Sequence, residues 1–217
     1  MIAAAAGLFV VGYQWGNRYK FAGGPPAVAG VLVSPPIELS DFALHDPEGR
    51  PVTGNRLREG WTLLTYGDLT QARGHLTVNR LLEIHNRLAD HPELRAQVRL
   101  VLVQTADAPN LARDFNRLSP ALVIAGGDAE EMDRLADALG GAPAPTPGDD
   151  AGSTLFLIAP GARLVELFTP GHGAATVAAD LVALSARPDL LEQGKPEAVS
   201  QPTPVPQPSS DVEPVAK

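Results

Sequence analysis

Residues 61 to 104 run WTLLTYGDLTQARGHLTVNRLLEIHNRLADHPELRAQVRLVLVQ, and the spacing of apolar residues changes twice within them. Trp61 to Tyr66 is a short, nearly continuous apolar run, as expected of a strand buried on both faces. Val78, Leu81, Leu82, His85, Leu88 and Ala89 then recur at helical spacing and share one face. Val98 to Gln104 (VRLVLVQ) returns to strand character, with its β-branched residues concentrated there. A strand, a helix and a second strand in this order imply a right-handed crossover between parallel neighbours. The unit predicts an α/β fold.

Working outward, the alternation continues. A helix is predicted around Asn110 to Leu118 with Leu111, Phe115 and Leu118 inward, then a short strand at Ala121 to Ala125. Asp128 is placed to cap a further helix, with Glu131 three residues on as its capping-box partner and Gly140 as the stop. Gly141 to Gly152 (GAPAPTPGDDAG) is expected to be a long flexible loop. Thr154 to Ala159 (TLFLIA) and Arg163 to Phe168 (RLVELF) predict a hairpin turning at Pro160-Gly161-Ala162, followed by a last helix from about Gly173 to Ala186, ended by Pro188. Upstream, Pro36 to Thr53 holds two short extended pieces around Asp46-Pro47-Glu48-Gly49, where Pro at the second and Gly at the fourth position suit a type I turn. Parallel crossovers closed by an antiparallel hairpin give a mixed sheet flanked by helices on both faces, the thioredoxin-like arrangement. There is no internal repeat.

The ends of the 217-residue chain differ from this middle. Ile2 to Tyr13 (IAAAAGLFVVGY) is apolar and uncharged, with Arg18 and Lys20 after it. The run is shorter than the ~20 residues of a full span and lacks the basic start of a secretory signal. Residues 1–20 are therefore expected to be a membrane anchor or signal-like segment, and 21–36 (through FAGGPPAVAGVLVSPP) a tether. Residues 37–187 form the domain, and the Pro-rich stretch 188–217 is expected to be a disordered tail.

Composition excludes several function classes. The formal charge of −8, without a Lys/Arg stripe, argues against a nucleic-acid partner. The chain has no cysteine, which removes disulfides, thiolate catalysis, iron–sulfur clusters and thiolate-bound zinc or copper. Hydrolase signatures (G-x-S-x-G, H-E-x-x-H, a phosphate-binding Gly loop) are missing. Gly126-Gly127-Asp128 is a turn into a helix, and Glu130, Glu131 and Asp133 are a solvated first turn favoured by the helix dipole. Of the histidines, His45 sits at a turn and His85 on the apolar helix face as a satisfied core imidazole. His91 closes the first helix, and His172 lies in the loop entering the last one.

Pro36 to Thr53, Gly60 to Gly67 (GWTLLTYG) with the helix after it, and Thr154 to Phe168 (TLFLIAPGARLVELF) together resemble the Sco/SenC/PrrC family over about residues 35 to 187. Members of that family are membrane-tethered, thioredoxin-fold proteins that help deliver copper to cytochrome c oxidase. In them, a strand ending in an aromatic-Gly pair leads into a C-x-x-x-C loop, and a distant His completes the copper site. Matching Tyr66-Gly67 to that pair puts Gln71 and His75 at the two cysteine positions and Ala151, beside Asp150, at the distant His. None of the three ligands is kept, and a soft cuprous site wants thiolates.

The resemblance thus implies a divergent member. We expect a non-catalytic, membrane-tethered Sco-like protein on the periplasmic side of the inner membrane, binding no copper and acting through protein partners in respiratory oxidase assembly. An alternative is a metallochaperone with a reworked site of His75 with Asp149 or Asp150. A remote one is a thioredoxin-like redox enzyme, which would have to act without a thiol.

Overall fold

The structure is a computed structural model, and it describes residues 28–141 and 154–187. Its strands are β1 (Val31–Glu38), β2 (Ala43–His45), β3 (Pro51–Thr53), β4 (Trp61–Gly67), β5 (Val98–Gln104), β6 (Leu122–Ala125), β7 (Leu155–Ala159) and β8 (Arg163–Phe168). Its helices are α1 (Gly54–Leu57), α2 (Ala72–Arg87), α3 (Pro92–Gln97), α4 (Pro109–Asn116), α5 (Ala129–Ala138) and α6 (Ala174–Ser185). Six strands form one sheet in the order β1-β8-β7-β4-β5-β6, and β2 and β3 form a separate hairpin. β4, β5 and β6 are parallel, while β7, β8 and β1 add antiparallel neighbours. The mixed sheet expected from sequence is present.

Every residue of β4 is buried, as its apolar run requires. β5 alternates between two cores. Leu100 and Leu102 face a cluster with Val78, Leu81, Ile84 and Leu88 from the α2 side and Val177, Leu181 and Leu184 from α6. Val101 and Val103 face the other cluster, built on the β2–β3 hairpin, Leu57 and α5. Helices therefore cover both faces, as predicted, and the hairpin shares the second face.

The local turn chemistry holds. Asp46 Oδ1 accepts from the amides of Glu48 and Arg50, and Gly49 N donates to Asp46 O at 2.9 Å. Asp128 caps α5 by accepting from Glu131 N at 3.0 Å. Glu131 does not reach back to close a capping box; its Oε2 instead accepts from Ala43 N of β2 at 2.7 Å, tying the helix to the hairpin. After α5, Gly140 takes φ +93° and Gly141 N bonds to Ala136 O, a glycine stop of the expected kind.

Four expectations need correction. The tether assigned to 21–36 is part of the domain from Val31 onward, because Val31 and Leu32 pair with Leu167 and Glu166 of β8 and fill its open edge. On α2 the buried residues include Ile84, whereas Ala89 lies beyond the helix and is exposed. On α4 the inward residue is Ala112, with Phe115 half-buried; Leu111 and Leu118 are 36% and 56% exposed. His91 does not close α2; its carbonyl accepts from Arg95 N and it precedes Pro92 at the start of α3. Proline at the first helical position favours that new start.

The two outer edges of the sheet differ, β6 being partly covered and β1 exposed. At β6, Ile124 N donates to Asn116 Oδ1 at 2.6 Å, and His45 and Gly126 exchange two backbone hydrogen bonds. At β1, the pairing with β8 is irregular between Leu32 and Ile37, around Pro35 and Pro36.

Candidate functional site

The site expected from sequence lies where β4 ends and α2 begins. Gly67 finishes the strand and its carbonyl accepts from Thr105 N at 3.1 Å, so the chain leaves the sheet beside the end of β5. Tyr66, the aromatic before it, is buried edge-on to Phe156, with ring centroids 6.2 Å apart. Its hydroxyl has no partner among the described residues, and burial pushes its pKa up to about 12, so it serves as packing and not as an acid.

Asp68 organises the turn that follows. Its Oδ1 accepts from Thr70 N at 2.8 Å and from the Thr70 hydroxyl, and its Oδ2 accepts from Gln71 Nε2 at 2.8 Å. The Thr70 hydroxyl bond, with help from the Thr70 amide and Gln71, holds the Asp68 carboxyl below the ordinary range. Gln71 is thus the residue before α2, with extended backbone and a side chain committed to Asp68.

His75, one turn into α2, is exposed, and its Nε2 lies 2.9 Å from Leu69 O. A ring nitrogen can only donate to a carbonyl, so Nε2 is the donor here. The imidazole also rests on Phe115 of α4, centroid to centroid 4.9 Å. Between the two candidates sits Gly74, where a Cβ would lie 2.0 Å from Asp68 O. Only glycine lets the turn fold this tightly against the helix.

Asp149, Asp150 and Ala151 lie outside the described residues. The strand they lead into begins at the same end of the sheet, because Thr154 O accepts from Thr65 Oγ1 at 2.8 Å and Leu155 pairs with Thr65. Among the described residues no three His, Cys, Asp or Glu side chains are grouped to hold a metal ion.

Cuprous copper, which selects thiolates, finds none among the residues of this chain. At the two matching positions stand an amide already bonded to Asp68 and an imidazole already bonded to Leu69 O.

No family model matches the sequence, and no curated protein matches it either. Solved structures do. The apo Sco1 protein of Thermus thermophilus matches with a TM-score of 0.59 and 27% identity, covering 75% of this chain and 99% of that one. Arabidopsis thaliana ScoI, solved with copper bound, matches with a TM-score of 0.56 and 18% identity over 69% of this chain and 98% of its own. BsSco, a member of the Sco family of cytochrome c oxidase assembly proteins in which a disulfide switch was identified, matches with a TM-score of 0.56 and 14% identity over 71% of this chain and 98% of its own.

The chain is Sco-like.

The Thermus match carries the likeness beyond fold alone and supports the family resemblance drawn from the sequence. The strand, turn and helix at which the sequence resemblance placed the site are present, and they hold no thiol.

Other histidines have structural roles. His85 is half-buried with Nε2 3.2 Å from Arg95 O, and burial lowers its pKa, as a satisfied core imidazole should. His172 does lie in the loop before α6, but it also reaches Ala29 O through Nε2 at 3.0 Å. Sequence reading missed two residues outright, Glu166 and Asp180, both buried. Each is a lone acid within an apolar run, RLVELF and AATVAADLVALS, and that incongruity was the available signal.

Proposed function

We propose that this Sco-like protein is a non-catalytic factor of cytochrome c oxidase assembly, working through protein contacts and not through copper or thiol chemistry of its own. One observation carries the reading. The two positions that match the family's cysteines hold Gln71 and His75 in place of thiols, and each makes a hydrogen bond within its own turn, Gln71 to Asp68 and His75 through Nε2 to Leu69 O. Arabidopsis ScoI is solved with copper bound and BsSco belongs to a family of cytochrome c oxidase assembly proteins; the same fold without thiol ligands suits a scaffold. In this reading residues 1–20 tether the domain to the inner membrane, with the domain facing the periplasm.

The test is calorimetric titration of the full chain with cuprous copper, cupric copper and zinc, beside His75→Ala. No saturable binding is expected. Micromolar or tighter binding that disappears in His75→Ala would overturn the reading and establish a reworked metal site. Inertness in a disulfide-reduction assay is expected alongside it. A cross-linked membrane partner should be recovered with the full chain and lost when residues 1–20 are deleted.

A further inference from the structure

The chain enters the domain through Val28 to Gly30, and this segment is fastened at three points. Ala29 N and Gly30 N both donate to Asp180 Oδ2 of α6, at 2.8 and 3.1 Å. Ala29 O accepts from His172 Nε2 at 3.0 Å. Gly30 lies so close to β8 that a Cβ would come within 2.5 Å of Glu166 Oε1 and 2.8 Å of Phe168 Cε1.

Beneath the segment two carboxyl groups are buried together. Glu166 is 0% exposed and Asp180 5%. Glu166 pairs across the sheet with Leu32 and Leu157, so its strand neighbours offer it no charge, and the groups that bear on its carboxyl are the Asp180 carboxyl and the Gly30 amide, neither placed for a well-formed hydrogen bond. Asp180 faces it from α6. From the loop before α6, His172 points its Nε2 to Ala29 O, and from α2, Arg80 gives its guanidinium to the carbonyls of Thr169 and His172. Two buried carboxylates without a cation are too costly to persist as a doubly charged pair. The arrangement makes sense with one proton shared between them.

We propose that Val28–Gly30 is a proton-dependent latch: a proton held by the Glu166–Asp180 pair keeps the segment seated on α6, and its loss to solvent lets the segment lift away. With the proton, the pair carries one negative charge, which Asp180 presents to the two amides. Without it, the second charge sits among Leu32, Leu157 and Phe168, and the nearest relief is to admit water where the segment lies. Burial first, and then the Asp180 charge, push the Glu166 pKa up to about 8. An acid whose folded value is raised favours the folded form while protonated. The latch's contribution is therefore whole below the ordinary carboxylate range, declines as pH rises, and is gone above about pH 8.

Amide hydrogen exchange of the full chain between pH 6 and 9, corrected for intrinsic exchange rates, tests this. Protection of residues 28–33 is expected to fall by up to about tenfold from pH 7 to 9, the most one proton can supply, while β4 and β5 hold theirs and Glu166→Gln abolishes the pH dependence. Protection that does not change with pH, or an equal loss in Glu166→Gln, would overturn the latch. If the variant does not fold, carbon-13 titration of the Glu166 carboxyl in the unaltered chain decides. A midpoint near pH 8 accompanied by shifts of the Ala29 and Gly30 amides supports it, and an ordinary carboxylate midpoint refutes it.

Discussion

Gly74 shows how a single atom decides the shape of the candidate site. A methyl group there would collide with the Asp68 backbone carbonyl, which cannot swing aside as a flexible side chain would. Gly74→Ala is expected to cost about 1–3 kcal/mol, the range of overpacking in a tight interior, read as a lowered urea midpoint. His75→Ala gives up one exposed hydrogen bond and a ring contact, so its loss should stay below about 1 kcal/mol. Gln71 and His75 could be located from sequence because an aromatic-Gly pair at a strand end fixes the count to them. Their hydrogen-bond partners could not, because Leu69 O and Asp68 Oδ2 become partners only once the turn closes. Glu166 and Asp180 were missed for a related reason. Their partnership spans the sheet and a helix, and no local pattern links them.

At the scale of elements, α5 is held at its start by two different acids. Asp128 satisfies an open helix amide, and its loss in Asp128→Ala should cost about 1 kcal/mol in thermal unfolding. Glu131 accepts from a strand amide of the hairpin, so Glu131→Ala leaves a part-buried donor unpaired and should cost about 1–3 kcal/mol. If Glu131→Ala proved no worse than an ordinary surface change, the tie between α5 and β2 would be unimportant. Strand and helix periods placed β4, β5, β7, β8 and α6 correctly. α4 shows where that reasoning stops, because helical spacing nominated Leu111 and Leu118 while the fold buries Ala112. Periodicity ranks faces by apolar content, whereas packing selects them by fit.

For the molecule as a whole, the boundary of the domain is the main revision. Because Val31 and Leu32 pair with β8, a fragment of residues 28–187 should unfold in one cooperative transition. A fragment of 37–187 uncovers the β8 edge and should aggregate or lose that cooperativity, as circular dichroism melts and light scattering will report. The composition of 21–36, rich in Pro, Gly and Ala, concealed the strand, since pairing with a distant edge overrides weak local preference.

The two rims of the sheet offer a partner different things. At β6, Asn116 and His45 already stand where an incoming chain would pair, whereas β1 forms the other rim, exposed at Val31 and Ile37 and interrupted by the prolines at 35 and 36. Extending the sheet is obstructed at β6 and left to β1, where two positions lack a donor. A partner that reads side chains on the helices and loops instead depends on surface residues that can be exchanged one at a time without touching the fold.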